Sequence, residues 1–183
     1  METFELTITE EEKTWCKKLI FWTIAQHLGQ NPGPKPALDS ATLQLELGAF
    51  VTLKKNGQLR GCIGNVTGQG PLAETIERMA CAAAFEDPRF PPLTAHELDA
   101  LQIEVSVMGP LTLCPDPERI EVGKHGLYIR KAMHAGLLLP QVALEWGWDR
   151  ETFLDQTCVK AGLPRGSWRK PKTEIWWFEA VIF

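Results

Sequence analysis

The chain has 183 residues, of which 44% are hydrophobic and 23% are charged, and its formal net charge is -4. These values are typical of a globular protein with one domain, or one core with a small lobe attached, and they exclude disordered and fibrous classes. No block of basic residues stands out, so neither nucleic acid nor an anionic membrane surface is expected as a partner. No stretch of ~18 apolar residues occurs, and residues 1–5 are acidic where a secretory signal would be basic. We therefore expect a cytoplasmic protein.

The chain contains an odd number of cysteines and no CxxC motif. This pattern argues against a disulfide framework, a thiol-redox motif and a cysteine-rich zinc site. Four of the five have apolar or helical neighbours in the sequence, and we predict that they are buried packing residues. The five are Cys16, Cys62, Cys81, Cys114 and Cys158.

The first predicted element is a helix with a clear start and stop. Thr9 is a suitable N-cap and Glu12 follows three residues later, which is the pattern of a capping box. Trp15, Leu19 and Trp22 recur at helical spacing and predict the apolar face of the helix, and Gly29 is expected to end it. The proline-rich segment 31–36 is then predicted to be an extended linker.

A hairpin, a second helix and a further strand are predicted next. The run 49–53 is typical of a buried strand, Asn56-Gly57 is typical of a two-residue hairpin turn, and 58–63 is the returning strand. Pro71 is predicted to be the first residue of the following helix. Strict alternation over 101–107 indicates a half-buried strand.

The C-terminal part of the sequence predicts another hairpin, a helix and a final strand. The hairpin strands are 126–130 and 136–139, Asp149 is the predicted cap of the helix, and the last strand runs over 174–183. Hairpins dominate the whole pattern and no βαβ period is present. The predicted fold class is therefore α+β, with a mostly antiparallel sheet flanked by helices in one compact unit.

The candidate working site is the segment Arg60-Gly61-Cys62-Ile63-Gly64 at the end of the second predicted strand. Glycines on both sides of the thiol would let backbone N–H groups approach a ligand closely. Arg60, two residues from Cys62, could share its side of the strand, and a nearby cation stabilises a thiolate. In the competing interpretation, Cys62 is a small hydrophobic residue at a place where two backbones pack closely.

Four further residues could contribute to such a site, each with a structural alternative. His125 could act as a base or metal ligand, or serve as a hydrogen-bonding turn residue. Asp87 could bond its own backbone before Pro88, or pair with Arg60 or Arg89. Arg89 could bind an anionic ligand or stabilise the proline-rich loop. Glu145, beside two tryptophans, could be an acid or base, or a helix-surface residue.

The sequence around Cys62 resembles the signature of the AMMECR family, and the resemblance continues along nearly the whole chain. The similar segments are 59–64, 85–93, 103–107, 122–127, 137–143, 145–149 and 158–164. The resemblance implies an α+β fold of two unequal lobes. The larger lobe would join the N- and C-terminal regions, the smaller lobe would be inserted, and the signature loop would lie near the cleft between them.

The same resemblance implies a genomic setting but no reaction. Prokaryotic members are grouped in the AmmeMemoRadiSam system, so a Memo-like protein and a radical SAM protein are the implied companions. The family's motif positions correspond here to Arg60, Gly61, Cys62, Gly64, Asp87, Arg89, His125 and Glu145. No catalytic role and no cofactor follows from the family.

Three functional hypotheses remain at this stage. The preferred hypothesis is a binding or accessory protein that uses residues 60–64 and the adjacent cleft to hold a small ligand or a companion protein. The alternative is an enzyme with Cys62 as an activated nucleophile, Arg60 as its activator, and His125 or Glu145 as the proton carrier. A metal site of Cys62 with His125 or His134 ranks last, because only one cysteine is well placed, and we assign no metal.

Overall fold

The computed structural model describes residues 6–183, which divide into two compact units. The N-terminal unit contains residues 7–108 and 181–183, and the C-terminal unit contains Leu6 and residues 109–180. Every described strand pairing within the two units is antiparallel, which confirms the predicted α+β class. The division into a larger lobe and an inserted smaller lobe stays a prediction, and the acidic segment 1–5 lies outside the described residues.

Helix α1 (Glu10–His27) begins and ends as its sequence predicts. The Thr9 side chain accepts a hydrogen bond from the backbone of Glu12, and the Glu12 carboxylate binds the backbone of Thr9, so the capping box is confirmed. Gly29, just past the helix, adopts the left-handed conformation with φ 73°. The buried residues of α1 include Cys16, Leu19, Ile20, Thr23 and Ile24. Trp15 and Trp22, which the sequence pattern assigned to the apolar face, are only half-buried.

Three strands form the antiparallel sheet of the N-terminal unit in the order β2-β1-β3. They are β1 (Gly48–Lys55), β2 (Gln58–Asn65) and β3 (Leu101–Met108). Asn56 and Gly57 have φ values of 52° and 74°, so the predicted hairpin turn with two left-handed residues is confirmed. One face of the sheet contributes Ala49, Val51, Leu53, Val105 and Val107 to the core.

Helix α2 (Leu72–Phe85) packs on β1 and β2 and begins one residue later than predicted. Pro71 is the N-cap rather than the first helical residue, because its ψ of 143° is extended. The chain then passes through residues 86–93 to Thr94, which caps a 3-10 turn (Ala95–Ala100) in a second capping box with Glu97.

The described part of the C-terminal unit has four strands and two α-helices. Strand β7 (Glu174–Ile182) pairs with both β4 (Thr112–Leu113) and β5 (His125–Lys131), and β5 also pairs with β6 (His134–Leu138). The helices are α3 (Pro140–Glu145) and α4 (Arg150–Lys160), and Asp149 caps α4 as predicted. Core residues of this unit include Leu127, Ile129, Phe153, Leu154 and Cys158. Neither α3 nor β4 is evident from the sequence pattern.

All five cysteines are free thiols. Cys16 and Cys158 are fully buried, whereas Cys81 and Cys114 are half-buried, so the prediction of four buried packing cysteines holds for two. Burial raises the thiol pKa of all four, and that of Cys16 reaches about 12. No helix within residues 6–183 is long and apolar enough to cross a bilayer.

Candidate functional site

A register shift in the β1–β2 hairpin determines which side chains surround Cys62. Leu53 faces Gly61 and Lys54 faces Leu59, so Arg60 has no partner residue on β1. This β-bulge advances the pairing by one residue and places Thr52 opposite Cys62. The Thr52 hydroxyl donates a hydrogen bond of 3.3 Å to the Cys62 sulfur.

The backbone of Cys62 is held by two side chains from the proline-rich loop that follows α2. The N–H of Cys62 donates to Asp87 Oδ2 at 2.9 Å, and the carbonyl oxygen of Cys62 accepts from Arg89 Nη2 at 3.1 Å. Both backbone groups point away from β1, so these contacts satisfy polar groups on the outer side of β2. We call this arrangement the Asp87–Arg89 clamp.

Asp87 is the central residue of the clamp. Its side chain is only 2% exposed, and its two oxygens accept from the Arg89 Nε at 2.9 Å and Nη2 at 2.7 Å. It also accepts from the backbone N–H of Arg89 at 3.1 Å, which is a local turn contact. The Arg89 side-chain bonds, followed by the Cys62 N–H, hold the pKa of Asp87 well below its usual value. Asp87 therefore makes both the predicted turn contact and the predicted pair with Arg89, whereas it makes no pair with Arg60.

Arg60 is engaged away from the thiol. Its guanidinium makes a bidentate pair with Glu97, with Nε–Oε1 and Nη2–Oε2 distances of 3.0 and 3.1 Å. Lys55 Nζ lies 3.1 Å from the same carboxylate. The Arg60 bonds lower the pKa of Glu97 strongly. The expected Arg60–Cys62 pairing is thus not observed, because the bulge interrupts strand alternation at Arg60 and Glu97 takes up its charge.

The two glycines beside Cys62 are required by packing. A Cβ on Gly61 would lie 2.0 Å from the carbonyl oxygen of Ala83 in α2, and a Cβ on Gly64 would lie 2.2 Å from the ring of Phe50. Neither glycine has a positive φ. Close approach of β2 to the α2 backbone therefore explains Gly61, as the competing interpretation of this motif expected. Ile63 lies opposite Val51 and is half-buried.

The Cys62 side chain belongs to the sheet face opposite the helices. Side chains alternate along each strand, so this face is distinct from the one that enters the core. Lys54 and Glu104 form an ion pair of 2.9 Å across it, and their side chains are each 37% exposed. We call this surface the open face; its partly exposed residues are Phe50, Thr52, Lys54, Cys62 and Glu104.

The remaining sequence candidates lie in the C-terminal unit. His125 is buried, its Nδ1 accepts from the backbone N–H of Glu121 at 3.0 Å, and its ring centroid lies 4.4 Å from that of Trp177. Burial lowers the pKa of His125 and favours the neutral imidazole. Glu145, at the end of α3, and His134, on β6, are exposed.

The structure thus brings together the predicted residues 61–64, Asp87 and Arg89 in the N-terminal unit. Thr52 and Glu97 complete this group and are not evident from the Cys62 motif itself. The sequence does contain a pattern that could have drawn attention to Glu97, because Thr94 lies three residues earlier and the two form a capping box. Within the described part of the chain, no three His, Cys, Asp or Glu side chains are grouped so that they could hold a metal ion.

Comparison with known proteins identifies the family. The family model AMMECR1 matches residues 17–183. Protein TK0174 of Thermococcus kodakarensis is 47% identical over 160 residues, which cover 81% of this chain and 78% of that protein. Protein PH0010 of Pyrococcus horikoshii is 45% identical over 187 residues, which cover 96% of this chain and 91% of that protein. The crystal structure of PH0010 matches with a TM-score of 0.85 at 40% identity and covers 96% of this chain and 92% of that one. The resemblance seen in the motifs is confirmed, and the chain belongs to the AMMECR1 family.

Proposed function

We propose that this protein is a binding or accessory protein, and that its contact surface is the open face around Cys62. One observation carries the proposal: both arginines near Cys62 are already paired with carboxylates, Arg60 with Glu97 and Arg89 with Asp87. A nucleophilic thiol needs a base or an available cation to stabilise its thiolate. Both guanidinium groups are instead held by carboxylates, and the pKa of Arg89 is raised mainly by Asp87 and to a smaller extent by Cys62.

A surface whose groups are already ordered binds a partner more tightly than a flexible one. Binding loses affinity when side chains and loops must be ordered at the interface. On this protein the Asp87–Arg89 clamp holds the backbone of Cys62, and the hairpin register holds Thr52 beside it. The open face is therefore ordered before a partner arrives.

The chemistry of the open face suits a protein partner. It combines an aromatic ring at Phe50, the Lys54–Glu104 ion pair, and the neighbouring polar groups of Thr52 and Cys62. Non-obligate protein interfaces are enriched in aromatic residues at their core and have a polar rim, so Phe50 suits the centre of such a contact and the Lys54–Glu104 pair suits its edge. The family resemblance supplies the candidates, and the proposal is that a Memo-like protein or a radical SAM protein docks here in the cytoplasm. Free cysteines in the structure support that compartment.

A charge-reversal experiment tests this proposal. Each companion is purified and its affinity for the protein is measured by calorimetry. Lys54→Glu and Glu104→Lys should each weaken binding by about tenfold, because each places a like charge against the partner's complementary group, and the double variant should not recover the loss, because both charges are then reversed toward the partner. The exposed Arg130–Glu174 pair of the C-terminal unit is the matched control, and reversing it should leave affinity unchanged. If neither companion binds, or if the open-face variants bind like the parent protein, the proposal is wrong.

Glycine substitutions are poor probes of docking at this site. Any side chain on Gly61 would collide with the backbone of α2, and any on Gly64 would collide with Phe50. Such variants would report on folding rather than on the contact surface. Thr52→Val is a better second probe, because it removes only the hydroxyl that bonds the thiol.

The second candidate is an enzyme with Cys62 as the nucleophile. The observation in its favour is that Cys62 is partly exposed on the open face and has a hydroxyl donor 3.3 Å from its sulfur. This candidate requires Cys62 to react with chloroacetamide at neutral pH faster than free cysteine does. A rate at or below that of free cysteine would favour the binding function.

A further inference from the structure

A groove of about 600 Å³ runs along the outer surface of α1, on residues distinct from the open face. Its volume falls within the range of small-molecule sites, roughly 300–1,000 Å³. One wall is the helix, the opposite wall is the proline-rich segment, and a side chain from β3 contributes to the lining. The lining consists of one side of α1 between Thr14 and Trp22, together with Pro32, Pro34, Pro36 and Ile103.

The helix wall follows from the spacing of its residues. Thr14, Lys17, Lys18 and Phe21 recur at i, i+3, i+4 and i+7, so they share one side of α1. This side is not the one that enters the core, and Phe21 is 38% exposed. An aromatic ring on an exposed helix surface can therefore contact a ligand without disturbing the fold.

The proline wall is held in position by a specific contact. The indole Nε1 of Trp22 donates to the carbonyl oxygen of Gly33 at 3.0 Å, which ties the segment to the helix. Lys35 Nζ lies 5.7 Å from the centre of the same indole ring and 2.6 Å from the Glu77 carboxylate. Proline also restricts the backbone. The groove is thus largely preformed.

The charged residues that line the groove are all basic. Lys17 and Lys18 are its charged lining residues, and no carboxylate lines it. Neither lysine forms an ion pair with a carboxylate among residues 6–183. Lysine can lay its carbon chain along an apolar surface while its ammonium group remains at the rim. An apolar groove with two such ammonium groups complements an apolar molecule with an anionic head.

The backbone of the groove favours a small molecule over a peptide. An extended peptide gains affinity from main-chain hydrogen bonds along its length. Pro32, Pro34 and Pro36 have no N–H to donate, and the helix backbone bonds internally. The proline-rich wall can therefore offer carbonyl acceptors but few N–H donors, whereas an aliphatic or aromatic body needs neither.

We propose that this groove binds an amphipathic carboxylate, with its apolar body against Phe21, Trp22 and the prolines and its carboxylate at Lys17 and Lys18. The expected ligand class is a medium-chain fatty acid or an aromatic acid of similar size. Electrostatic attraction selects the anion, and burial of apolar area supplies most of the affinity.

Competition between fluorescent and aliphatic amphiphiles tests the site. The probe is 8-anilinonaphthalene-1-sulfonate, an anion with an aromatic body, and the competitors are decanoate and uncharged decanol, all below their micelle thresholds. Decanoate should displace the probe, and its affinity should exceed that of decanol by about fivefold, because two rim charges each contribute modestly. Raising the salt concentration should remove this preference.

Substitutions in the lining test whether the probe and its competitors bind in this groove. Lys17→Gln with Lys18→Gln should abolish the preference for decanoate and change the affinity for decanol much less, because glutamine removes the charge and keeps part of the apolar stem. Phe21→Ala should weaken both competitors. Lys13→Gln is the matched control, since Lys13 lies on the same helix, pairs with Glu10 and does not line the groove.

Three results would overturn the inference. They are the absence of saturable probe binding, equal affinity for decanoate and decanol in the parent protein, and probe binding that the lysine and Phe21 variants leave unchanged. Circular dichroism of each variant confirms that it is folded before it is titrated. None of these measurements depends on a companion protein, so failure here leaves the open-face proposal untouched.

Discussion

Replacing Asp87 with alanine removes the carboxylate that joins the backbone of Cys62 to the guanidinium of Arg89. The Cys62 N–H loses a hydrogen bond to a charged acceptor, and such bonds contribute about 1.5–3 kcal/mol. Arg89 is 53% exposed, so loss of its ion pair adds at most about 1 kcal/mol after solvent screening. We expect Asp87→Ala to lower the free energy of unfolding by about 3 kcal/mol. Asp87→Asn keeps one acceptor oxygen but removes the charge, and it should lower the free energy of unfolding by about half as much.

The stabilisation by Asp87 should decrease in acid, because its carboxylate must be ionised to bind Arg89. Arg89 holds the pKa of Asp87 below its unfolded value of about 3.9, so the unfolded state binds more protons as the pH falls. The stabilisation is therefore complete above about pH 5, declines below the unfolded pKa, and is lost as the pH falls through the folded pKa. The difference in the free energy of unfolding between the parent protein and Asp87→Asn should be constant from about pH 8 to about 5. It should become smaller below about pH 4.

Urea denaturation followed by circular dichroism at several pH values provides the measurement. Asp39→Asn is the control, because Asp39 is exposed, and it should change stability by less than about 0.5 kcal/mol. A loss below about 0.5 kcal/mol for Asp87→Ala, or a difference that widens in acid, would refute the argument that the clamp stabilises the fold.

Gly61, the Arg60–Glu97 pair and the buried Cys16 can each be tested by one measurement. Gly61→Ala should destabilise the protein by more than about 2 kcal/mol, because its Cβ would meet a backbone carbonyl of α2 at 2.0 Å; a thermal melt within two degrees of the parent would contradict this. Glu97→Gln should cost about 1–2 kcal/mol in urea denaturation, because it removes the charge that Arg60 pairs with in a bidentate contact, and an unchanged midpoint would count against that role. In native protein, chloroacetamide should modify Cys62 well before Cys16, which is fully buried; mass spectrometry that finds Cys16 modified first would show that this core opens.

Much of the secondary structure could be predicted because its signals are local. The capping box at Thr9, the Asn56-Gly57 turn and the cap at Asp149 each act through residues within a few positions in the chain. Pro71 shows the limit of such signals, since proline suits both an N-cap and a first helical position and only its ψ separates them.

The candidate site could be predicted in part for a related reason. The Cys62 segment, Asp87 and Arg89 are recognisable from their motifs, but the partner of each is set by tertiary structure. A regular two-residue hairpin would place Thr52 opposite Gly61, and the bulge instead moves Thr52 to Cys62. The same bulge removes Arg60 from the regular alternation that suggested it as an activator of the thiol. Nothing in the local sequence specifies that register shift.

The Asp87–Arg89 clamp also has a consequence for self-association. Strand β2 pairs only with β1 among the described strands, so its outer N–H and C=O groups form the kind of edge that recruits strands from other molecules. At Cys62 a carboxylate accepts where a foreign strand's carbonyl would accept, and a guanidinium donates where its N–H would donate. An incoming strand would have to displace the Asp87–Arg89 pair, whose carboxylate is buried, before it could add to the sheet. The clamp therefore hinders edge-to-edge aggregation at β2. Contacts with another protein in this region are left to the side chains on the face of the sheet.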